Sequence, residues 1–121
     1  MQIQPLKIVD FAQQIANAAG PYSNVPVALV NNHVVRMSVM TEPYFWHRHP
    51  NSDESFLVLE GSIFIDLDDG TVELHPGQLF TIPQNVNHRT RPNGARSVNI
   101  TFELENMETV PVEISKSETR D

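Results

Sequence analysis

The amino-acid sequence predicts an all-β fold, an antiparallel sandwich or barrel of jelly-roll type, with one short helix near the N-terminus. Three observations support this fold class. After Pro21 the chain contains roughly eight to ten short runs of β-branched and aromatic residues, many of them alternating in polarity. Nine prolines and five glycines separate many of these runs and favour turns. Helical spacing of apolar residues occurs in one segment, before Pro21.

The predicted helix follows Asp10, whose side chain can cap a helix N-terminus. Phe11 and Ile15 fall on one face of the helix together with nearby alanines. Gly20 and Pro21 end the helix, because glycine favours a helix C-terminus and proline cannot continue one.

The strands are predicted from their alternation and from the turn sequences between them. Asn31-Asn32 tolerates positive φ and suits a hairpin turn, and Asp68-Asp69-Gly70 suits a second one. The predicted strands are Val25–Val30, His33–Met40, Tyr44–His49, Ser55–Leu59, Ser62–Leu67, Thr71–Leu74, Leu79–Ile82 and Ser97–Leu104.

A chain of 121 residues has room for one domain, so we expect residues 1–121 to form a single domain. The segment 105–121 is acidic and polar. Val110, Val112 and Ile114 alternate within it, so the segment is predicted to be either a polar tail or an edge strand that could clasp a partner subunit.

Composition excludes several classes of function. A formal net charge of -7 argues against binding to nucleic acid or anionic membranes, since both require clustered positive charge. The absence of cysteine excludes disulfides, cysteine zinc sites and cysteine nucleophiles. The first residues lack the features of a signal peptide, and no apolar run reaches the length of a membrane span. We therefore expect a cytoplasmic protein.

Three histidines and one glutamate have the spacing of a metal site. His47 and His49 lie two apart in a predicted strand, so both imidazoles point to the same face, with Cα atoms about 6.5–7 Å apart. Glu54 follows across a proline-containing turn, and His88 comes directly after another turn. This ligand set suits one divalent ion of zinc, manganese, iron, cobalt, nickel or copper, without choosing among them.

Other polar residues are expected to lie outside the site. His33 lies beside a turn and His75 precedes Pro76-Gly77, so both are predicted to be ordinary hydrogen-bonded side chains and not ligands. Asp66, Asp68 and Asp69 lack the later glutamate of a calcium loop, and a solvated hairpin turn is the expected structure.

These ligand spacings resemble the motifs of the cupin superfamily. The first cupin motif is G-x5-H-x-H-x4-E-x6-G, and His47, His49, Glu54 and Gly61 match it at every gap, with Thr41 in place of the first glycine. The second motif is G-x5-P-x-G-x2-H-x3-N. Gly77, Pro83 and His88 match it, while Asn85 replaces the second glycine and Pro92 the asparagine.

The resemblance covers roughly residues 34–104. Within the superfamily, the chain is similar to small single-domain cupins described as mannose-6-phosphate-isomerase-like. It implies a double-stranded β-helix, the jelly-roll barrel, and an ion held by His47, His49, Glu54 and His88. It also implies one or two coordination positions left open for water or substrate, and a homodimer.

Alternation along the strands predicts which side chains line a pocket beside the ion. Side chains two residues from an inward-facing ligand also point inward, where they either line a pocket or belong to the barrel core. The pocket residues predicted in this way are Phe45, Phe56, Val58 and Thr90, with Arg36 added if its strand has that register. We therefore expect a largely apolar pocket.

Side chains of the opposite parity are expected on the outside of the barrel. Arg48, Arg89 and Arg91 have this parity and are predicted to face solvent or a partner. Tyr44 and Trp46 have it as well and are candidates for the homodimer interface, because large exterior aromatics favour a partner.

Three functions are compatible with the sequence. The first is a metal-dependent isomerase, lyase or dioxygenase that acts on a small polar organic molecule. The second is a non-catalytic module that binds or senses such a molecule through the metal. The third is a scaffold stabilised by the ion, which the intact ligand set disfavours. No catalytic residue is assigned, and the candidates for a general base are a metal-bound water and Glu60 beside Gly61.

Overall fold

The computed structural model describes residues 3–113, which form two β-sheets and one short helix. In chain order the elements are α1 Phe11–Ala16, β1 Tyr22–Val30, β2 His33–Met40, β3 His47–Arg48, β4 Glu54–Glu60, β5 Ile63–Leu67, β6 Gly70–Leu74, β7 Leu79–Ile82, β8 His88–Pro92, β9 Ser97–Leu104 and β10 Val110–Pro111. Among the described residues, no helix is both long and apolar enough to cross a membrane.

The strands pair antiparallel in two five-stranded sheets. The first sheet has the order β1-β2-β9-β4-β7, and the second has the order β10-β3-β8-β5-β6. The chain crosses from one sheet to the other between β4 and β5, between β7 and β8, and between β8 and β9, as the jelly-roll barrel requires. The all-β fold class predicted from the sequence is confirmed.

Helix α1 begins where the sequence predicts. Asp10 caps it, with Oδ1 accepting a hydrogen bond from the Ala12 amide at 3.0 Å. The helix ends at Ala16 rather than continuing to Gly20, and Asn17 is its C-cap. Phe11 and Ile15 pack against the first sheet, so packing holds this short helix in place.

Turn chemistry determines the hairpins. Asn31 has φ of 55° and lies in the turn between Val30 and His33, the pair that closes the β1–β2 hairpin. The predicted strand Tyr44–His49 is reduced to His47–Arg48. Residues 43–46 are irregular, which changes the direction of the side chains before His47.

The first sheet packs against an apolar cluster on each of its two faces. Inside the barrel, Phe56, Val58 and Ile82 belong to an apolar cluster that also includes residues of the second sheet. On the outer face, Val98 and Ile100 pack under α1. Because the apolar side chains of β9 belong to this outer core, the polar side chains that alternate with them in β9 face the barrel interior.

Asp66 is not part of a solvated turn, so that prediction is wrong for this residue. The turn lies between the paired residues Leu67 and Gly70, and Asp66 is the preceding position in β5. Its side chain is 3% exposed beneath Arg89 and Arg91, and both arginine Nε atoms lie 2.8 Å from Oδ2. The two arginines therefore lie on the outside of the barrel, as their parity predicts.

Candidate metal centre

The structure brings together the four residues that the spacing singles out. His47 begins β3, His49 follows it, and Glu54 and His88 begin β4 and β8. One potential ligand atom from each residue lies within 4.8 Å of the others. All four side chains are buried, with exposed fractions between 1% for His88 and 8% for Glu54.

Pairing of the strands places these side chains. His47 and His88 are partners in the β3–β8 register, so their rings are neighbours on the inner face of the second sheet. Glu54 faces them from the first sheet. Its Oε1 lies 3.2 Å from Nε2 of His49 and 3.4 Å from Nε2 of His88.

Backbone carbonyls orient all three imidazoles. Nδ1 of His47 is 2.7 Å from the carbonyl oxygen of Phe45, and Nδ1 of His88 is 2.8 Å from that of Val86. Nδ1 of His49 is 2.9 Å from the carbonyl oxygen of Glu108. A carbonyl can only accept, so each Nδ1 carries a proton, and in the neutral imidazole Nε2 keeps a lone pair for a ligand. Histidines that bind metals are oriented in this way.

The cluster fits a divalent ion. Nε2 of His49, Nε2 of His88 and Oε1 of Glu54 are buried and have no hydrogen-bond partner within residues 3–113. With Nδ1 protonated, these three atoms are all acceptors that face one another, an arrangement that a shared cation stabilises. Leaving such atoms unpaired is costly, so their convergence indicates a cation site.

The protonation states suit the same conclusion. Burial lowers the pKa of His47 to about 4, and His88 and His49 contribute to the shift. Burial opposes ionisation of Glu54, but contacts with His49 and His88 outweigh it and lower the pKa to about 2. The Glu54 carboxylate in turn raises the pKa of His49 despite its burial. At neutral pH the site therefore has a charged carboxylate and a neutral His47, the forms that bind metal ions.

The cluster opens onto a cavity of about 300 Å³, at the small end of the range for ligand pockets. Arg36, Phe56 and Thr90 line it together with His47, His49 and Glu54, so three of the predicted pocket residues are brought together there. The expected apolar lining is wrong. One side of the cavity is a polar wall formed by Asn24, Arg36, Ser38, Asn99, Thr101 and Glu103.

Phe45 does not line this cavity, in contrast to the prediction. Its side chain is 44% exposed, and Tyr44 lines the cavity instead. The ring of Tyr44 lies edge-on to His47 at 5.3 Å between centroids and stacks on Tyr22 at 4.7 Å. Because residues 43–46 are not in a strand, alternation does not extend back from His47. Tyr44 is therefore not available as an exterior interface residue.

Glu103 is the candidate functional residue that the sequence reasoning missed. It is 2% exposed, and its Oε2 lies 3.1 Å from Nε of Arg36. Burial and the charge of Glu54 raise the pKa of Glu103 to about 7, against the lowering effects of Thr101 and Arg36. Its Oε1 has no partner of hydrogen-bonding geometry within the described chain. Buried carboxyl groups with such pKa values are frequent at active sites.

The C-terminal segment completes the site. Met107 and Thr109 line the cavity, and the Glu108 carbonyl orients His49. Asn51 holds this segment, because its Oδ1 accepts from the Glu108 amide at 2.8 Å. Strand β10 then pairs with β3. Ile114, the last alternating residue, lies outside the described residues.

The remaining candidates lie away from the cluster. His33 is exposed, and His75 forms an exposed pair with Glu73 at 3.0 Å between Nε2 and Oε2. Glu60 is paired with Arg96 at the surface, with 2.6 Å between Oε2 and Nη2, so it is not a general base for the cavity.

The departures from the cupin motifs fit the local backbone. Asn85 has φ of 66°, a conformation that asparagine adopts more readily than most residues. Its amide donates to the His49 carbonyl at 2.9 Å. Pro92 is the last residue of β8, where it does not interrupt the strand. Gly61 cannot be replaced easily, because an added Cβ would lie 2.5 Å from the Arg96 carbonyl oxygen.

Comparison with known proteins agrees with this architecture. The family model of the cupin domain matches residues 34–102. The uncharacterized protein YdbB of Bacillus subtilis (strain 168) is 43% identical over 93 residues, which are 76% of this chain and 81% of YdbB.

Two solved structures are similar in fold. A cupin-2 domain protein of Shewanella frigidimarina has a TM-score of 0.76 and 22% identity, covering 81% of this chain and 95% of that one. The polyketide cyclase RemF of Streptomyces resistomycificus has a TM-score of 0.69 and 19% identity, covering 79% of this chain and 74% of RemF.

Proposed function

The chain belongs to the cupin family, and we propose that it is a metal-dependent isomerase or lyase acting on a small, oxygen-rich organic molecule. One observation carries the proposal. Four potential ligand atoms of buried residues converge within 4.8 Å of one another, and three of the four residues, His47, His49 and Glu54, line a small cavity. A metal site that opens onto a cavity can bind a substrate, whereas a structural site is closed by protein ligands.

The ion is one divalent transition metal held by His47, His49, Glu54 and His88. When bound, it supplies Lewis acidity to an oxygen atom of the ligand. The buried, unpaired Nε2 and Oε1 atoms are the chemical reason for assigning these four residues to the ion. The donor set suits zinc, manganese, iron, cobalt, nickel and copper alike.

Glu103 supports isomerase or lyase chemistry over dioxygenase chemistry. Isomerisation and elimination beside a carbonyl both begin with removal of a proton from carbon, and a carboxylate with a pKa near 7 suits that role. Arg36 lies 3.1 Å from Oε2 of Glu103 and holds the carboxyl in one orientation. The unpaired Oε1 is left to accept the proton from the substrate and return it.

The ion itself is tested by elemental analysis of protein purified without chelator. We expect close to one transition metal ion per chain in the wild type. His49→Ala and Glu54→Gln should lose the ion, whereas His75→Ala, a histidine outside the cluster, should keep it. A wild-type protein that holds no ion even after reconstitution would refute the proposal.

The reaction class is tested by exchange of hydrogen for deuterium in D2O. Metal-loaded protein should exchange the carbon-bound hydrogens of dihydroxyacetone and other hydroxyketones, as followed by NMR. Glu103→Gln should retain the ion and lose the exchange. Binding of these compounds without exchange would favour the sensing module, and oxygen uptake would favour a dioxygenase. Either result contradicts the isomerase or lyase assignment.

The homodimer and the cytoplasmic location stay predictions. Trp46 is half-buried, with the Arg89 guanidinium 5.7 Å from its ring centroid, so it offers less free surface than its parity indicated. More exposed apolar side chains occur at Leu79 and Phe102 on the first sheet, and we propose this outer face for the dimer contact.

A further inference from the structure

Strand β9 carries polar side chains at successive inward positions. Ser97, Asn99 and Thr101 are each at most 4% exposed. Within residues 3–113, Oγ of Ser97 and Nδ2 of Asn99 have no hydrogen-bond partner. Oγ1 of Thr101 has no partner of hydrogen-bonding geometry there either, although its interaction with the Glu103 carboxyl lowers the pKa of that group. Buried polar groups are nearly always paired, so unpaired groups on one strand require an explanation.

Two of these groups border the cavity. Asn99 and Thr101 line it, whereas Ser97 does not. Thr101 pairs with Phe56, which is two residues beyond the ligand Glu54, and Asn99 pairs with Val58, one further step from it. Each step along a strand face is about 6.5–7 Å, so the two polar groups lie at increasing distance from the metal ligands.

We propose that Asn99 and Thr101 form a subsite that binds hydroxyl groups of a chain-like, polyhydroxylated substrate whose other end lies at the metal. The Asn99 amide is a donor, and the Thr101 hydroxyl can both donate and accept. A substrate hydroxyl can therefore pair with either group. This assignment rests on the proposed function for the position of the substrate, and it adds the chemical class.

The charges of the cavity favour a substrate of this class. Arg36 is already paired with Glu103 and with Oδ1 of Asn24, at 3.1 Å and 3.3 Å. Asn24 also bonds to Oγ of Ser38 at 3.0 Å. Because Arg36 is occupied in this way, Asn99 and Thr101 are left to bind the part of the substrate that extends beyond the metal and Glu103. Both side chains are neutral, and hydroxyls suit them better than phosphate.

A series of three four-carbon acids separates the subsite from the metal. Butanoate offers a carboxylate, 2-hydroxybutanoate adds one hydroxyl beside it, and 2,3,4-trihydroxybutanoate adds two hydroxyls that extend away from the metal. Titration calorimetry of cobalt-loaded protein gives the affinity for each acid. We expect the trihydroxy acid to bind about tenfold more tightly than the monohydroxy acid, which corresponds to about threefold for each of the two added hydroxyls.

Matched variants assign the effect to the two side chains. Thr101→Val and Asn99→Leu should each reduce the preference for the trihydroxy acid to about threefold or less, without loss of cobalt. Thr101→Ser keeps a hydroxyl and should restore the preference. Ser97→Ala removes an unpaired hydroxyl from the same strand face outside the cavity, so it should leave the preference unchanged.

Two outcomes overturn the subsite. In one, the wild type binds both hydroxy acids equally; in the other, Thr101→Val and Asn99→Leu keep the full preference. Cobalt-loaded protein that catalyses deuterium exchange without this preference would refute the subsite alone. Protein that shows the preference without exchange would refute the isomerase or lyase assignment alone. Protein that binds no cobalt would refute both.

Discussion

Two buried carboxyl groups, Asp66 on the outer face of the second sheet and Glu103 inside the cavity, have different partners. Asp66 accepts from Arg89, from Arg91 and from the Thr71 hydroxyl, with distances between 2.7 and 3.1 Å. Glu103 has one arginine at 3.1 Å, and its second oxygen has no partner among the described residues.

The pKa values of the two carboxyls shift in opposite directions because hydrogen bonds outweigh burial at Asp66 but not at Glu103. Burial raises the pKa of both carboxyls, but at Asp66 the hydrogen bonds from Arg91, Thr71 and Arg89 outweigh it and lower the pKa to about 2. At Glu103 burial and the Glu54 charge prevail, and the pKa rises to about 7. Complete pairing is typical of a group that stabilises the fold, whereas incomplete pairing at a cavity is typical of a group that serves a ligand.

The largest expected difference between the two regions is the response to metal. At a free metal concentration of one hundred times Kd, the wild type should gain about 2.7 kcal/mol in the free energy of unfolding. Asp66→Asn should gain as much, and Glu54→Gln should gain almost nothing, as measured by urea unfolding with and without zinc. An equal gain in Glu54→Gln would show that metal stabilises the protein from another site.

The next largest effect is expected for Asp66→Asn in the metal-free protein. The pKa of Asp66 falls from 3.8 to about 2 on folding, so its charged form contributes stability above pH 4. That contribution is about 2 kcal/mol and is lost as the pH falls from about 4 to about 2. Urea unfolding should show Asp66→Asn to be less stable than the wild type by this amount at pH 7 and nearly equal to it at pH 2. A constant difference across this range would contradict the charge-based explanation.

The clustering of the four side chains at the candidate metal centre and most strands could be predicted from the sequence because local chemistry determines them. Asn31 supports the first hairpin by adopting positive φ, and strands β2, β7 and β9 have the predicted bounds. The fixed gaps place His47 and His49 before a tight turn and Glu54 shortly after it, so the three side chains can converge. His88 joins them through the pairing of β8 with β3, which the sequence motif anticipates.

The polar wall could not be predicted, because alternation divides a strand into two faces without saying which one is interior. Val98 and Ile100 face outward only because α1 covers that side of the sheet. The available signal was the run of polar residues at Asn99, Thr101 and Glu103 in a central strand. Tyr44 was missed because the backbone before His47 is irregular. The Glu108 carbonyl was missed because backbone groups leave no mark in a sequence.

The smallest predicted effect uses one substitution in both regions, threonine to valine at positions 71 and 101. The Thr71 hydroxyl donates to Oδ1 of Asp66 at 2.7 Å, so Thr71→Val should lower the free energy of unfolding by about 1 kcal/mol. The Thr101 hydroxyl is buried without a partner of hydrogen-bonding geometry in the described chain, and its effect on the Glu103 carboxyl is smaller than that of burial. Thr101→Val should therefore raise the free energy of unfolding by about 1 kcal/mol in metal-free protein.

Urea unfolding at pH 7 measures both variants against the same wild type. Because valine replaces threonine at nearly constant volume, differences in packing are small, and the sign reports whether the hydroxyl was paired. Destabilisation by Thr101→Val would mean that water already satisfies this hydroxyl inside the cavity. In that case the contrast between a fully paired outer cluster and an incompletely paired wall would not hold at Thr101. Opposite signs would mean that the cavity wall has given up stability for groups that remain free to bind a ligand.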